Sequence, residues 1–164
     1  MTSLVIEKGV DVSIYVYDKE LTVVSNAPFD LEINERNITV VSDTRSNVTP
    51  LDKKRLDITT VGSINVRHGA KVAIDWNMTN SDPQQVLRFN IEGEVSVNGH
   101  RCEIVDFSFC SSDLSKTTIS GFVILRSADI KSKGFTTINC YKRGNVRTSQ
   151  SAEGCSMISI RNTY

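Results

Sequence analysis

No stretch of this chain approaches the roughly 18 consecutive apolar residues that a membrane-spanning helix needs. The opening MTSLVIEKGVDVSIYV is broken by Lys8 and Asp11, so it does not read as an export signal either. The expectation is a soluble protein that stays inside the cell that makes it, with no membrane partner. Close cysteine pairs are also missing: Cys102, Cys110, Cys140 and Cys155 are spread without the spacing of a disulfide framework, and free thiols are expected. On that expectation the Asn-x-Thr sequons at Asn37, Asn47 and Asn77 carry no weight, because they matter only in a secretory pathway. Structural zinc prefers ligands two to four residues apart, and no cysteine has such a neighbour. On one strand Cys102 and Cys110 would lie about 26 Å apart at roughly 3.3 Å per residue, so no metal is assigned. The phosphate-binding patterns GxGxxG and GxxxxGK[ST] are absent, and no cofactor is expected. Only two histidines, His68 and His100, could serve as a catalytic base. Neither accompanies a G-x-S-x-G elbow and both fall beside glycine in turn-like segments, so no catalytic residue is assigned. If the chain were an enzyme, His100 would be the candidate base. Carboxylate pairs such as Glu92 with Glu94, or Asp106 with Asp113, read as solvated surface.

What the chain does have is alternation. Val86 to Leu125 carries Leu87, Phe89, Ile91, Val95 and Val97 between Arg88, Asn90, Glu92, Glu94 and Ser96, the period of two that turns one strand face to a core. Asn98-Gly99 between two such runs predicts a hairpin with a type I′ turn, and Thr117 to Leu125 a third strand of an antiparallel meander. Earlier, Val12, Ile14 and Val16 face a core, and the charged turn Asp18-Lys19-Glu20 leads into LTVVS, a first hairpin. Ile64 and Val66, then Arg67-His68-Gly69, then Val72, Ile74 and Trp76 read as a second. Asp82-Pro83 could instead open a short helix over 84–89. No internal repeat stands out. The expected fold is all-β, an antiparallel β-sandwich or half-barrel of roughly nine to eleven strands with at most one short helix.

Net charge is zero, with 19 basic and 19 acidic residues, which argues against a general polyanion binder. The balance hides a polarity, since residues 126–164 hold seven basic and two acidic residues, a net of +5, and residues 1–125 hold 12 and 17, a net of −5. The chain therefore divides into a β domain over 1–126 and a basic C-terminal extension over 127–164 with one or two short strands. From Ser42 to Lys54 the alternation lapses into a polar loop of about a dozen residues, a candidate partner surface.

The opening KGVDVSIYV with LTVVSNAPFDLEINERNITVVS, the polar loop, the hairpin DITTVGSINVRHGAKVAIDW, and the runs VNGHRCEIVDFSF and SSDLSKTTISGFVIL together resemble the major tail tube proteins of long, flexible-tailed bacteriophages. The matching positions are Lys8, Gly9, Asp11, Val12, Gly99, Ile104, Asp106, Phe107, Asp113, Thr117 and Ser120, within residues 8–126. The resemblance implies a non-enzymatic virion protein, assembled in the host cytoplasm into the tail. Subunits would close into a ring, commonly a hexamer, and rings would stack into a tube beside other tail proteins, with DNA passing through the lumen without specific binding. On this reading the inter-subunit contacts fall on Arg45, Asn47, Val48, Leu51 and Lys53 of the polar loop and on Lys142, Arg143 and Arg147 of the basic extension. A tail-tip, tail-terminator or head-decoration subunit is the near alternative. A monomeric β-sandwich binding nucleic acid or carbohydrate is the more distant one.

Overall fold

Alternating apolar and polar residues make most of the described strands, but outside residues 20–57 their pairing partners lie a full coil away rather than across a hairpin. The computed structural model describes residues 2–6, 11–17, 20–25, 29–33, 37–42, 52–57, 61–77 and 83–163. Among them run β1 (Thr2–Ile6), β2 (Asp11–Tyr17), β3 (Glu20–Ser25), β4 (Phe29–Ile33), β5 (Asn37–Ser42), β6 (Asp52–Asp57), β7 (Val61–Val66), β8 (Lys71–Asn77), β9 (Gln84–Ile91), β10 (Glu94–Asn98), β11 (Glu103–Ser111), β12 (Lys116–Ser132), β13 (Phe135–Lys142), β14 (Arg147–Ala152) and β15 (Cys155–Asn162). One face stacks β1, β7, β9, β11, the second part of β12 and β14 in parallel. The other stacks β2, β8, β10, the first part of β12, β13 and β15, also in parallel. The chain thus winds as a parallel β-solenoid, each coil laying one strand on each face. β12 spans both faces, bending at Ser120–Val123 where Gly121 takes a φ of +90°.

This architecture overturns the antiparallel β-sandwich or half-barrel expected from the sequence. The reason is physical: alternation reports one buried face, not the direction of the neighbouring strand. Parallel sheets usually have both faces covered, whereas here the outer face meets water and the pattern looks like that of an antiparallel strand. Two of the expected hairpins are absent. β7 and β8 pair with β9 and β10 respectively and not with each other, and β10 pairs with β8 and β12 rather than β11. Their connecting segments are corners between faces. The first hairpin does form, with β2 antiparallel to β3 from Ser13 against Val24 to Tyr17 against Glu20. Residues 84–89 lie in β9, and no helix occurs among the described residues.

Register turns the alternation into rows of stacked side chains. One row runs Ile14, Ile74, Val97, Ile119, Ile138 and Ile158. Beside it run Val12, Val72, Val95, Thr117, Thr136 and Ser156, whose members from Val72 onward stand 23, 22, 19 and 20 residues apart. The facing sheet contributes Ile64, Phe89, Phe109 and Ile130. Between the sheets, Trp76 meets Phe122 edge-on at 6.1 Å and Phe89 lies 6.0 Å from Phe107, all fully buried. Each such side chain contributes about 1.5–3 kcal/mol relative to exposure.

The two ends of the stack differ. At the first coil, β5 adds in parallel to β1 with β4 antiparallel outside it, while β3 adds antiparallel to β2 with β6 antiparallel outside it. At the last coil, β14 pairs only with β12 and β15 only with β13.

Candidate functional site

The corner after β10 is built by an unusual backbone. His100 and Arg101 have φ values of +46° and +61°, the only non-glycine residues of the described chain in the left-handed region. The Cys102 N–H donates to the Gly99 carbonyl at 2.8 Å, closing a turn whose two central residues are His100 and Arg101. The turn chemistry foreseen at Asn98-Gly99 is therefore present two residues later. Gly99 is needed for a different reason: a Cβ there would stand 2.7 Å from the Phe122 ring.

This turn sends its two side chains to different surfaces. The His100 ring pairs through Nε2 with the Asp75 carboxylate. Both sit on the outer face of the sheet, in a shallow depression of about 310 Å³ shared with Tyr15, Ser96 and Asn98. His68 occupies an exposed turn at the opposite corner of the coils, so the two histidines do not converge. Arg101 instead lays its guanidinium over the Tyr141 ring, 5.3 Å from the centroid. There it lines a groove of about 700 Å³ with Tyr141, Lys142, Ile160, Arg161 and Asn162.

Of the contact residues expected from the sequence, Arg45, Asn47, Val48 and Leu51 lie outside the described residues. Lys53 belongs to β6, opposite Val24, rather than to a loop. Lys142 ends β13 and lines the groove. Arg143 follows it and pairs with Glu103 at 3.0 Å. Arg147 opens β14 on the other face, exposed, where its charge helps to depress the Asp106 carboxyl. The structure thus brings Lys142 to a site and leaves Arg143 and Arg147 on separate surfaces. Sequence reasoning missed Arg101 and Arg161 as neighbours of Lys142, because Arg161 lies 19 residues beyond it and Arg101 comes from an earlier coil. Only a coil-length register brings Lys142 and Arg161 to adjacent strands, with Tyr141 opposite Arg161.

Several other surface charges are paired. Arg67 pairs with Glu92 at 3.1 Å and Lys116 with Glu94 at 3.8 Å. Arg126 grips Asp106 through Nε at 3.0 Å and through a second hydrogen bond from Nη2, and Ser127 donates to the same carboxylate at 2.7 Å. The Arg126 hydrogen bonds, then that of Ser127, hold the Asp106 carboxyl below its ordinary value. Burial pushes the Cys140 thiol up to about 12, offset in part by a hydrogen bond from the Phe122 backbone. All four cysteines are free, Cys110 and Cys155 being exposed. Among the described residues no group of three metal-ligating side chains could hold an ion, and no helix is long and apolar enough to cross a membrane.

No family model and no curated protein matches the chain. Among solved structures it is similar to a candidate adhesin from Parabacteroides merdae ATCC 43184, at 9% identity over 100% of this chain and 92% of that one, with a TM-score of 0.33, a likeness that carries no argument about function.

Proposed function

We propose that the chain is a structural protein that assembles with further copies of itself through the free edge of β15. The observation that carries this is the contrast between the two strands of the last coil. In β14 the inward rows end in Thr148 and Gln150, and every residue is exposed, so that face closes in polar side chains. In β15 the rows continue with Ile158 and Ile160, half-buried against the core, while one backbone edge has no partner among the described residues. Natural edge strands are blunted by charge or proline. β6, an outermost strand at the other end, reads DKKRLD, whereas β15 reads CSMISIRN with Arg161 as its single charge. Met157 of the same strand is 73% exposed. A strand from a second copy would satisfy the backbone groups and cover these side chains.

The resemblance to tail tube proteins supports a finer form of this reading, a virion tail subunit whose copies stack into a tube through which DNA passes. A stack needs a head-to-tail contact, while a contact between two β15 edges closes as a pair. The charge of +5 on residues 126–164 against −5 on residues 1–125 favours the head-to-tail form. Light scattering on purified protein tests both levels. Masses of several subunits, with rings or rods in electron micrographs, support the tube form, and a twofold mass supports assembly alone. A single-subunit mass at every concentration and salt would remove the proposal.

A further inference from the structure

We infer that the groove at the ends of β13 and β15 binds a compact oxyanion ligand, a small molecule carrying phosphate, sulfate or carboxylate groups. The inference goes beyond self-assembly and does not depend on it. Three cations converge there from different coils: Arg101 from the corner after β10, Lys142 from the end of β13 and Arg161 from β15. Among the described residues no carboxylate lines the groove, and neither Lys142 nor Arg161 has an ion-pair partner. Two nearby arginines are instead held by carboxylates, Arg143 by Glu103 at 3.0 Å and Arg126 by Asp106. Three like charges left together repel one another, and an anion between them reverses the sign of that interaction.

The second observation is preorganisation. Arg101 sits at a φ of +61°, a backbone region that a non-glycine residue occupies at a cost. The turn holds it there, with the Arg101 N–H donating to the Gly121 carbonyl at 2.7 Å and the guanidinium resting on Tyr141. A guanidinium fixed on an aromatic face keeps its fork of donors directed outward, the geometry that reads an oxyanion through two hydrogen bonds. Ile160 gives the groove an apolar side and Asn162 an amide. Its volume of about 700 Å³ suits a small molecule. A nucleic-acid strand fits less well, because successive bases need free aromatic faces. Here the Tyr141 ring already carries Arg101, and the flanking Arg126 and Arg143 are neutralised by carboxylates.

Isothermal titration calorimetry with inorganic phosphate, citrate and a monosulfated monosaccharide tests the assignment, with subunit mass followed by light scattering in the same samples. One-to-one binding of at least one probe, weakening as salt rises, is expected. Arg101→Gln and Arg161→Gln should each weaken it about tenfold or more, the loss typical of a hydrogen bond to a charged group. Arg101→Lys, which keeps charge and loses the fork, should recover only part of the affinity. Lys131→Gln, on the exposed surface of β12, should change nothing. Phosphate alone binding would point to a free ion, and the sulfated sugar alone to an ester. Absence of heat with all three probes, or equal affinity in the two glutamine variants folded as judged by circular dichroism, would overturn the site. So would binding restricted to single-stranded oligonucleotides.

Discussion

Thr117 is 2% exposed in the row between Val95 and Thr136, and its hydroxyl has no hydrogen-bond partner among the described residues. Thr136, the next residue in the row, differs, because its hydroxyl donates to the Lys133 carbonyl at 3.1 Å. An unpaired buried hydroxyl costs free energy that an isosteric methyl does not. Thr117→Val should therefore stabilise the protein by about 1 kcal/mol in urea unfolding, while Thr136→Val should destabilise it. Thiol chemistry offers a second residue-level check. Cys110 and Cys155 are exposed, whereas Cys102 is buried with its thiol 3.4 Å from the Trp76 carbonyl and Cys140 ionises only near 12. A thiol reagent at pH 8 should label two cysteines rapidly and all four only after unfolding. Asp106 supplies a pH dependence whose sign is fixed by its lowered pKa. A depressed carboxyl contributes stability that is complete above its ordinary value of 3.8 and is lost as pH falls through the depressed one. Asp106→Asn should thus lower Tm at pH 7, and the deficit should shrink as pH falls below 3.8.

At the scale of elements, each strand depends on the rung below and above it. Ile119 is fully buried between Val97 and Ile138, and Ile119→Ala should cost about 2–5 kcal/mol. Ile158, half-buried with one stacked neighbour, should lose markedly less on the same change, a gradient that a sandwich core would not impose. Corners carry their own constraint, since a Cβ on Gly134 would stand 2.6 Å from the Ser115 carbonyl at a φ of +70°. Gly134→Ala should destabilise by about 1–3 kcal/mol. Strand identity was readable along most of the described chain, because Val12-x-Ile14-x-Val16, Val72-x-Ile74-x-Trp76 and Thr136-x-Ile138-x-Cys140 each alternate cleanly. Their mutual likeness, at a spacing near twenty in the later coils, is also the signal that a parallel stack was present. It was masked by β3 to β6, which separate the first coil from the second, and by substitutions such as Thr117 for valine. Asn98-Gly99 misled for a related reason. Its chemistry marks a tight turn, and a tight turn joins two faces of a coil as readily as two paired strands. The groove was legible only in part: Lys142 stood out within the basic extension, while Arg101, Tyr141 and Arg161 meet it only through the coil register.

For the whole molecule, the account is of a stack closed by added strands at the first coil and by polar side chains at β14, with β15 as the remaining adhesive edge. Ile158→Lys would place a charge on the inward side of that edge, a device that prevents strand addition, and should leave single subunits with the far-ultraviolet dichroism of the parent. Hydrogen exchange measured residue by residue at rising protein concentration is the most direct test. The account predicts that protection of the amides in β15 rises with concentration while those of the central β10 and β12 stay constant. Exchange in β15 that is independent of concentration while larger particles form would contradict it, because copies would then be joining elsewhere.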